Sequence, residues 1–187
     1  MSRAAGWLAG VALVVAAWFV LFLTPDDTAR DAPFAVAAAV GEHAEGRNIA
    51  VTVTDLRLSE GISGTAQGGA LWSADGTWFI VDLDAEARVS SEKQRTLQLS
   101  TLTFPDGTVY SASERPDSLR SAPLIAGVPR SGALAFELPA DLPGDSAVLT
   151  VGLSSDARLD SVITLEVHFD DVAEVVGATL PATEWVS

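Results

Sequence analysis

Hydrophobic and polar residues follow two different patterns along this chain, and the change comes near residue 46. The first pattern is a single uncharged apolar run from Ala4 to Leu23. After Gly46, apolar and polar residues alternate with a period of two, which is typical of β-strands that bury one face. The segments that carry this alternation are NIAVTVTDLRL, WFIVDLDAEARV, TLQLSTLTF, TVYSAS, GALAFELP, AVLTVGL and SVITLEVHF.

Turn residues separate these segments. Pro105, Asp106 and Gly107 stand between two of them. Proline presets its own φ, aspartate starts a side-chain turn and glycine accepts a positive φ, so the motif predicts a tight hairpin. No segment shows the period of a long amphipathic helix. Short strands joined by turns predict an all-β fold, an antiparallel β-sandwich.

The opening apolar run has the length of a membrane-spanning helix. A helix of about 20 residues rises about 30 Å, which is the thickness of the hydrocarbon core. A cleavable signal has an apolar region of about 7 to 15 residues with a small-x-small site close behind it. The nearest such site, Ala35-Val36-Ala37, lies beyond several charged residues. We therefore expect the run to be retained as a transmembrane anchor that contacts the lipid bilayer.

The residues that flank the run predict its orientation. Arg3 precedes it, and Asp26 and Asp27 follow it. The positive-inside rule then predicts a single-pass protein of the cell membrane with a cytoplasmic N-terminus and an extracytoplasmic domain. Gly6 and Gly10 form a G-x-x-x-G step, a candidate helix–helix contact that predicts a weak homodimer.

The same patterns predict the domain organisation. Residues 1–24 are the anchor. Residues 25–46 mix prolines, charges and small residues without a period, as a linker does, and within them FAVAAAV forms either a short strand or a helical turn. Residues 47–170 form the sandwich. The tail, residues 171–187, is apolar in part without a period, and either adds a strand to the sandwich or docks on a partner.

Composition narrows the function. Acidic side chains number 25 and basic ones 11, which gives a net charge of −14. Such a surface repels phosphate backbones, so we expect no nucleic-acid partner. The chain has no cysteine, which excludes disulfides and thiolate chemistry. The sequence also lacks a G-x-S-x-G elbow, a phosphate loop and a dinucleotide fingerprint, so we expect no enzyme activity and no cofactor.

One acidic row is a candidate site. Asp82, Asp84 and Glu86 share one face of a strand, about 6.5 to 7 Å apart in succession. Three interpretations stay open: a solvated face paired with nearby basic residues, a calcium site, or the carboxylates of an unrecognised hydrolase. The two histidines, His43 and His168, lie far apart in the sequence and do not predict a site.

Three large apolar residues are candidate partner contacts. Trp78 and Ile80 lie on the same strand face as the acidic row, where they either close a core or contact another protein. Trp185 lies in the tail. These residues lead us to expect an unidentified envelope protein as partner.

Four short blocks carry a family resemblance. They are Gly41-Glu42, WFIVD at 78–82, FPDGTVY at 104–110 and GVPRSGALAFELP at 127–139. Together they resemble an immunoglobulin-like domain of unknown function found in bacterial envelope lipoproteins and membrane-anchored proteins, which is similar in fold to a small secreted immunogenic protein of mycobacteria. The resemblance implies an immunoglobulin-like β-sandwich and an envelope location, and it implies no enzymatic activity.

These features together predict a membrane-anchored β-sandwich that binds or scaffolds another protein of the bacterial cell envelope. The alternatives are an acidic module that binds calcium and, after it, a carboxylate-dependent hydrolase.

Overall fold

The structure is a computed structural model that describes residues 3–23, 31–66, 68–90 and 95–186. It divides into two compact units, Met1–Ala32 and Pro33–Ser187. The first unit contains helix α1, Arg3–Leu23, of 21 residues, which confirms that the apolar run is helical. Over the described residues, no helix combines the length and the hydropathy needed to cross a membrane. The role of residues 1–24 as an anchor stays a prediction.

The second unit is built from strands. The described residues contain β1 (Phe34–Ala38), β2 (His43–Glu45), β3 (Ile49–Ala66), β4 (Ala70–Ala87), β5 (Leu99–Thr103), β6 (Val109–Ser111), β7 (Arg130–Leu138), β8 (Ser146–Gly152), β9 (Ser161–His168), β10 (Ala173–Val175), β11 (Ala178–Thr179) and β12 (Glu184–Trp185).

The strands form two sheets, which confirms the β-sandwich. The first sheet has the order β1-β9-β8-β5-β6. The second has the order β10-β3-β4-β7-β12, and β2 and β11 also pair with β3. The expected antiparallel arrangement is incomplete, because β1 pairs with β9, and β10 and β11 pair with β3, in parallel. Parallel pairs need long connections between the two strands. Here β1, near the start of the unit, pairs with β9 near its end, and β10 and β11, near the end, pair with β3 near the start.

The core lies between the sheets and takes the inward residues of each strand. At its centre the Phe79 ring lies 5.5 Å from that of Phe169, and Phe169 stacks on Phe104 at 5.6 Å. Phe136 also packs against Phe79, with ring centroids 6.1 Å apart. Aromatic pairs at these separations add directional attraction to the burial of apolar area.

Strands β3 and β4 form one long hairpin, with 18 residues in each strand. Its register shifts between Val53 and Asp55 and again between Ser59 and Gly61. The alternation in the sequence predicts only the half of each strand that lies away from the turn. The half near the turn is rich in glycine and polar residues, so its alternation is weak.

Sheet pairing begins earlier in the chain than the sequence predicts. Strands β1 and β2 both lie inside residues 25–46, which were expected to form a linker. Strand β1 pairs with β9 over Phe34–Ala38, so its partner is more than a hundred residues away in sequence. Its small apolar residues carry no alternation that would mark a strand. The rest of the expected linker, residues 25–30 with Asp26 and Asp27, lies outside the described residues.

The predicted hairpin at residues 105–107 is confirmed. It joins β5 to β6, with Gly107 at a φ of 87°. The backbone N–H of Thr108 donates to the Asp106 carboxylate at 2.8 Å, and the Thr108 hydroxyl lies 2.9 Å from the same group. These hydrogen bonds lower the pKa of Asp106 below its ordinary value. The turn therefore uses each residue type for the reason that the sequence suggested.

We expect Gly107→Ala to lower the free energy of unfolding by about 1 to 2 kcal/mol, because a Cβ is strained at positive φ. Gly144→Ala is the control. Gly144 lies beside the same turn at an ordinary φ, and an added Cβ would stay 3.5 Å from its nearest neighbour. The control should change stability by less than about 1 kcal/mol, and in the stabilising direction. Urea denaturation of both variants checks this, and equal losses would contradict it.

Candidate functional site

The C-terminal tail wraps the second sheet. We name residues 173–186 the C-terminal strap. At one edge of the sheet its strands β10 and β11 pair with β3, and at the opposite edge β12 pairs with Ser131 and Arg130 of β7. Residues 180–182 cross the outer face of the sheet, the face that points away from the core, and Thr183 lies at the edge of β7. Of the two alternatives for the tail, the structure has the added strand.

The strap lies close to the sheet that it crosses. A Cβ added to Gly132 on β7 would come within 2.8 Å of the Thr183 methyl group. The Arg130 guanidinium donates to the Thr183 hydroxyl at 2.8 Å and lies 4.6 Å from the centroid of the Trp185 ring. Glycine at 132 thus permits the approach, and Arg130 holds the strap from the side.

Half of the outer face is an apolar cluster beneath the strap. Trp78 and Ile80, which the sequence offered as partner contacts, are 2 % and 0 % exposed. Leu180 of the strap packs against them, and Trp72 meets Trp78 edge to face at 6.0 Å. The remaining members of the cluster are Ile62, Ala133 and Ala135. Trp78 and Ile80 therefore close a second small core, so a partner does not reach them in this structure.

The other half of the outer face is a polar cleft of about 510 Å³. Its floor comes from β3, β4 and β7, and its wall comes from the strap. The lining side chains with charge or hydroxyl groups are Thr54, Arg57, Asp82, Asp84, Ser131, Thr179 and Glu184. One guanidinium thus stands among three carboxylates, so the cleft favours cationic groups over anionic ones.

Asp82 and Asp84 enter this cleft, but they have different neighbours. Arg57 donates to Asp82 in a short ion pair, and its Nε also lies 3.5 Å from the Asp55 carboxylate. Ser131 donates to Asp84 in a short hydrogen bond. The second oxygen of Asp82, Oδ1, is buried and accepts no hydrogen bond from the described residues. Each carboxylate therefore belongs to a separate contact across the sheet.

Partial burial changes the acidity of Asp82. Burial raises the pKa of Asp82 above its ordinary value of 3.8, Arg57 opposes that rise, and Asp55 adds to it. Desolvation is the largest of the three effects on the pKa of Asp82, and water weakens the attraction of the guanidinium because Arg57 and Asp82 both remain partly exposed.

Glu86, the third member of the predicted acidic row, lies apart from the cleft. It is 7 % exposed and accepts a hydrogen bond from Arg88 at 3.1 Å. Arg88 also pairs with Glu45 of β2. Within the described residues, no group of three or more His, Asp or Glu side chains comes together to hold a metal ion. The calcium site at Asp82, Asp84 and Glu86 stays a prediction, as does the hydrolase.

The two histidines lie on strands of different sheets. His43 is on β2, with Nδ1 3.1 Å from the Thr52 hydroxyl. His168 ends β9, is exposed, and lies 3.7 Å from Glu166. On helix α1, Gly6 and Gly10 are both exposed, and each has open space where a Cβ would stand.

Trp185 belongs to an exposed apolar patch at one end of the second sheet. We name Ile125, Val128, Trp185 and Val186 the end patch. These four side chains are between 37 % and 52 % exposed. Ile125 bridges to Val128, and the backbone N–H of Val186 donates to the Pro129 carbonyl at 3.0 Å, which holds the four together. Clusters of this kind mark contact surfaces more often than single exposed apolar residues do.

Asp82, Asp84 and Trp185 are predicted from the sequence as candidate site residues, and Arg57, Ser131 and Glu184 are not. Spacing along one strand is visible in a sequence. Contacts between strands depend on register, and the irregularity between Val53 and Asp55 shifts the register of Arg57 against β4. The one sequence signal that could have indicated this contact was Arg57 itself, an arginine in a strand segment, NIAVTVTDLRL, with few basic residues.

No protein-family model matches the chain, and no curated protein is significantly similar to it. Solved structures with a similar chain path include an uncharacterised β-sandwich protein from Clostridium difficile 630. That chain is 11 % identical with a TM-score of 0.48, and the match covers 76 % of this chain and 99 % of the other. A candidate lipoprotein from Staphylococcus aureus is 10 % identical with a TM-score of 0.44, over 75 % of this chain and 97 % of the other.

We expect Leu180→Ala to lower the free energy of unfolding by about 2 to 4 kcal/mol, because it leaves a cavity over Trp78 and Ile80. Val176→Ala, at a strap residue that is 83 % exposed, is the control and should cost less than about 0.5 kcal/mol. Urea denaturation measures both. Equal effects would mean that Leu180 does not seat the strap.

The raised pKa of Asp82 predicts a pH dependence with a definite sign. The folded chain takes up a proton at Asp82 at a higher pH than the unfolded chain does. Wild type should therefore gain stability relative to Asp82→Asn as the pH falls through the raised pKa towards the ordinary value of 3.8, and lose that gain as the pH rises through the raised pKa. Urea denaturation at each pH gives the difference.

Asp106→Asn is the control with the opposite sign. The lowered pKa of Asp106 means that its carboxylate stabilises the fold above the ordinary pKa and stops doing so as the pH falls through the lowered one. Wild type should lose stability relative to this variant on acidification. If Asp82→Asn followed the same direction, the assigned effect of burial on Asp82 would be wrong.

Proposed function

We propose that this protein is a membrane-anchored, extracytoplasmic β-sandwich that binds or scaffolds another protein of the bacterial cell envelope. The observation that carries the proposal is the joining of two unlike units in one chain. One is an uncharged apolar helix, and the other is a compact β-sandwich in a chain with a net charge of −14.

The helix supports the anchor. Its sequence from Ala4 to Leu23 has no charged residue. The large apolar side chains described on it, from Trp7 to Phe22, are more than half exposed. Side chains of this kind need an apolar environment, and a bilayer supplies it along the whole length of a helix. Arg3 before the helix and Asp26 and Asp27 after it favour a domain outside the cytoplasm.

The sequence resemblance supports the envelope location. The blocks at 78–82, 104–110 and 127–139 fall in β4, the β5–β6 hairpin and β7. We infer from them that the sandwich is of the immunoglobulin-like kind found in envelope proteins. No activity comes with that inference.

The end patch supports binding to a protein. Acidic side chains outnumber basic ones in this chain, so a surface of anionic lipid headgroups repels it. Protein contact surfaces, by contrast, are rich in tryptophan and large aliphatic residues with a polar rim. Trp185 suits the role of an anchor residue, because Arg130 already fixes one face of its ring and leaves the side chain 41 % exposed.

A photoreactive residue at position 185 tests the proposal in intact cells. We expect Trp185→p-benzoylphenylalanine in the full chain to give one adduct of defined mass with an envelope protein. The control is the same replacement at Val148, which is also 41 % exposed but lies on β8 of the first sheet. Immunoblotting of the irradiated membranes reads both.

Two results would contradict the proposal. Adducts that are equal at the two positions, or absent at both, would remove the partner-binding part. Washing the same membranes at high pH tests the anchor, which should keep the full chain in the pellet. Release into the wash, or mature protein in the medium that begins near Ala38, would remove the anchor.

A further inference from the structure

The two sheets differ in how far other segments of the chain cover their edge strands. The strap covers part of both edges of the second sheet. In the first sheet, one edge is β6, with three residues, and the other is β1, with five. Among the described strands, β9 pairs with one side of β1 and none pairs with the other.

The open edge of β1 carries no charged residue of its own. From Ala32 to Gly41 no residue is charged, although the whole chain carries −14. Natural sheets protect open edges with lysine, inward charges, bulges or a covering segment. Proline at 33 limits the edge at one end, and the Glu42 carboxylate limits it at the other by accepting the Ala39 N–H at 3.0 Å. Between them the edge is unprotected.

The pairing with β9 determines which groups point outward. The Phe34 N–H donates to the Asp160 carbonyl at 2.8 Å, so Phe34 faces β9. Residues in a parallel pair alternate in the side to which their backbone groups point. Val36 and Ala38 therefore face β9 as well, and Ala35 and Ala37 direct their N–H and C=O groups away from the sheet.

We propose that this edge of β1 pairs antiparallel with the same edge of a second copy of the chain, about a two-fold axis at Val36. Ala35 of each copy then lies opposite Ala37 of the other, and each such pair exchanges two backbone hydrogen bonds. All four outward N–H and C=O groups of each copy are used. A two-fold contact needs a surface that complements itself, and this short edge does so.

The lack of charged residues within β1 allows a second copy to approach. Two chains of net charge −14 repel each other over most of their surfaces. The pairing of β1 with itself brings no two charged residues of the strand together, and the guanidinium of Arg47 lies 5.1 Å from the centroid of the Phe34 ring. Phe34 of one copy lies opposite Ala38 of the other, on the face where Val36 and Ala38 already pack against the core. The pairing thus continues the first sheet and its apolar face from one copy into the other.

A contact of four hydrogen bonds and small side chains is weak in free solution. Anchoring both copies in one membrane raises their effective concentration, and β1 follows the end of helix α1 after only ten residues. This part of the inference rests on the proposed anchor. The pairing itself depends only on β1.

A single cysteine tests the pairing, since the chain has none of its own. At the axis, Val36 meets Val36 of the other copy as a pair without hydrogen bonds, with Cα atoms about 4.5 Å apart, which suits a disulfide. We expect Val36→Cys in the full chain in membranes, with copper phenanthroline as oxidant, to form disulfide dimer at least about tenfold faster than Val148→Cys. Non-reducing gels measure both rates, and equal rates would overturn the pairing.

Mixed labelling tests the register with other variants, in case Val36→Cys folds poorly. Phe34→Cys and Ala38→Cys should each crosslink poorly alone and strongly when the two chains are mixed. Adding Ala37→Pro to either system removes an outward N–H without touching the bonds to β9, and should abolish the dimer. Ala37→Ser keeps that N–H and should not. Loss with both changes, or with neither, would overturn the pairing.

The same variants at high concentration in detergent separate the two proposals. If a high-pH wash releases the chain and Val36→Cys still dimerises in detergent, the anchor is wrong and the pairing holds. If the chain stays in the membrane and Val36→Cys behaves like Val148→Cys, the pairing is wrong and the anchor holds. Release together with failure in detergent overturns both.

Discussion

The second half of strand β4, from Trp78 to Ala87, is buried or half-buried on both faces, and the arrangement of the outer face depends on how that burial is achieved. Its inner residues, such as Phe79 and Val81, meet the first sheet across the core. Its outer residues Trp78 and Ile80 would face water in an ordinary two-sheet sandwich. Here the strap covers them with Leu180. Burying large apolar side chains contributes about 1.5 to 3 kcal/mol each, so the tail is part of the fold.

The same covering determines the chemistry of the cleft. Where the outer face of β4 changes from apolar to acidic, the strap continues across it and removes water from Asp82. A partly desolvated carboxylate needs a hydrogen-bond or charge partner. The register places Arg57 of β3 beside Asp82, where it forms an ion pair, and Ser131 of β7 beside Asp84, to which it donates a hydrogen bond. The raised pKa of Asp82 shows that this compensation is incomplete. The cleft is thus a consequence of the strap crossing a face that is only half apolar.

Local chemistry made much of the fold predictable. The alternation in β4, β7, β8 and β9 and the turn at Gly107 depend on residues close in sequence, so both appear in the structure as predicted. Strand β1 was ambiguous between a short strand and a helical turn because its identity comes from pairing with β9, and the strap was ambiguous because its apolar residues have no period. In the cleft, Asp82 and Asp84 follow from spacing along one strand. Arg57 and Ser131 required the register.

One property explains both why β1 was hard to find and why its edge is open. Charged side chains at alternate positions mark a strand in sequence, and on an edge the same side chains repel a foreign strand. A run of alanine and valine such as that of Phe34–Ala38 lacks both signals. In the second sheet the strap pairs with β3 at one edge and with β7 at the other, because it is long enough to reach both. The first sheet has no such segment among the described residues, so its uncharged edge is left to pairing between chains.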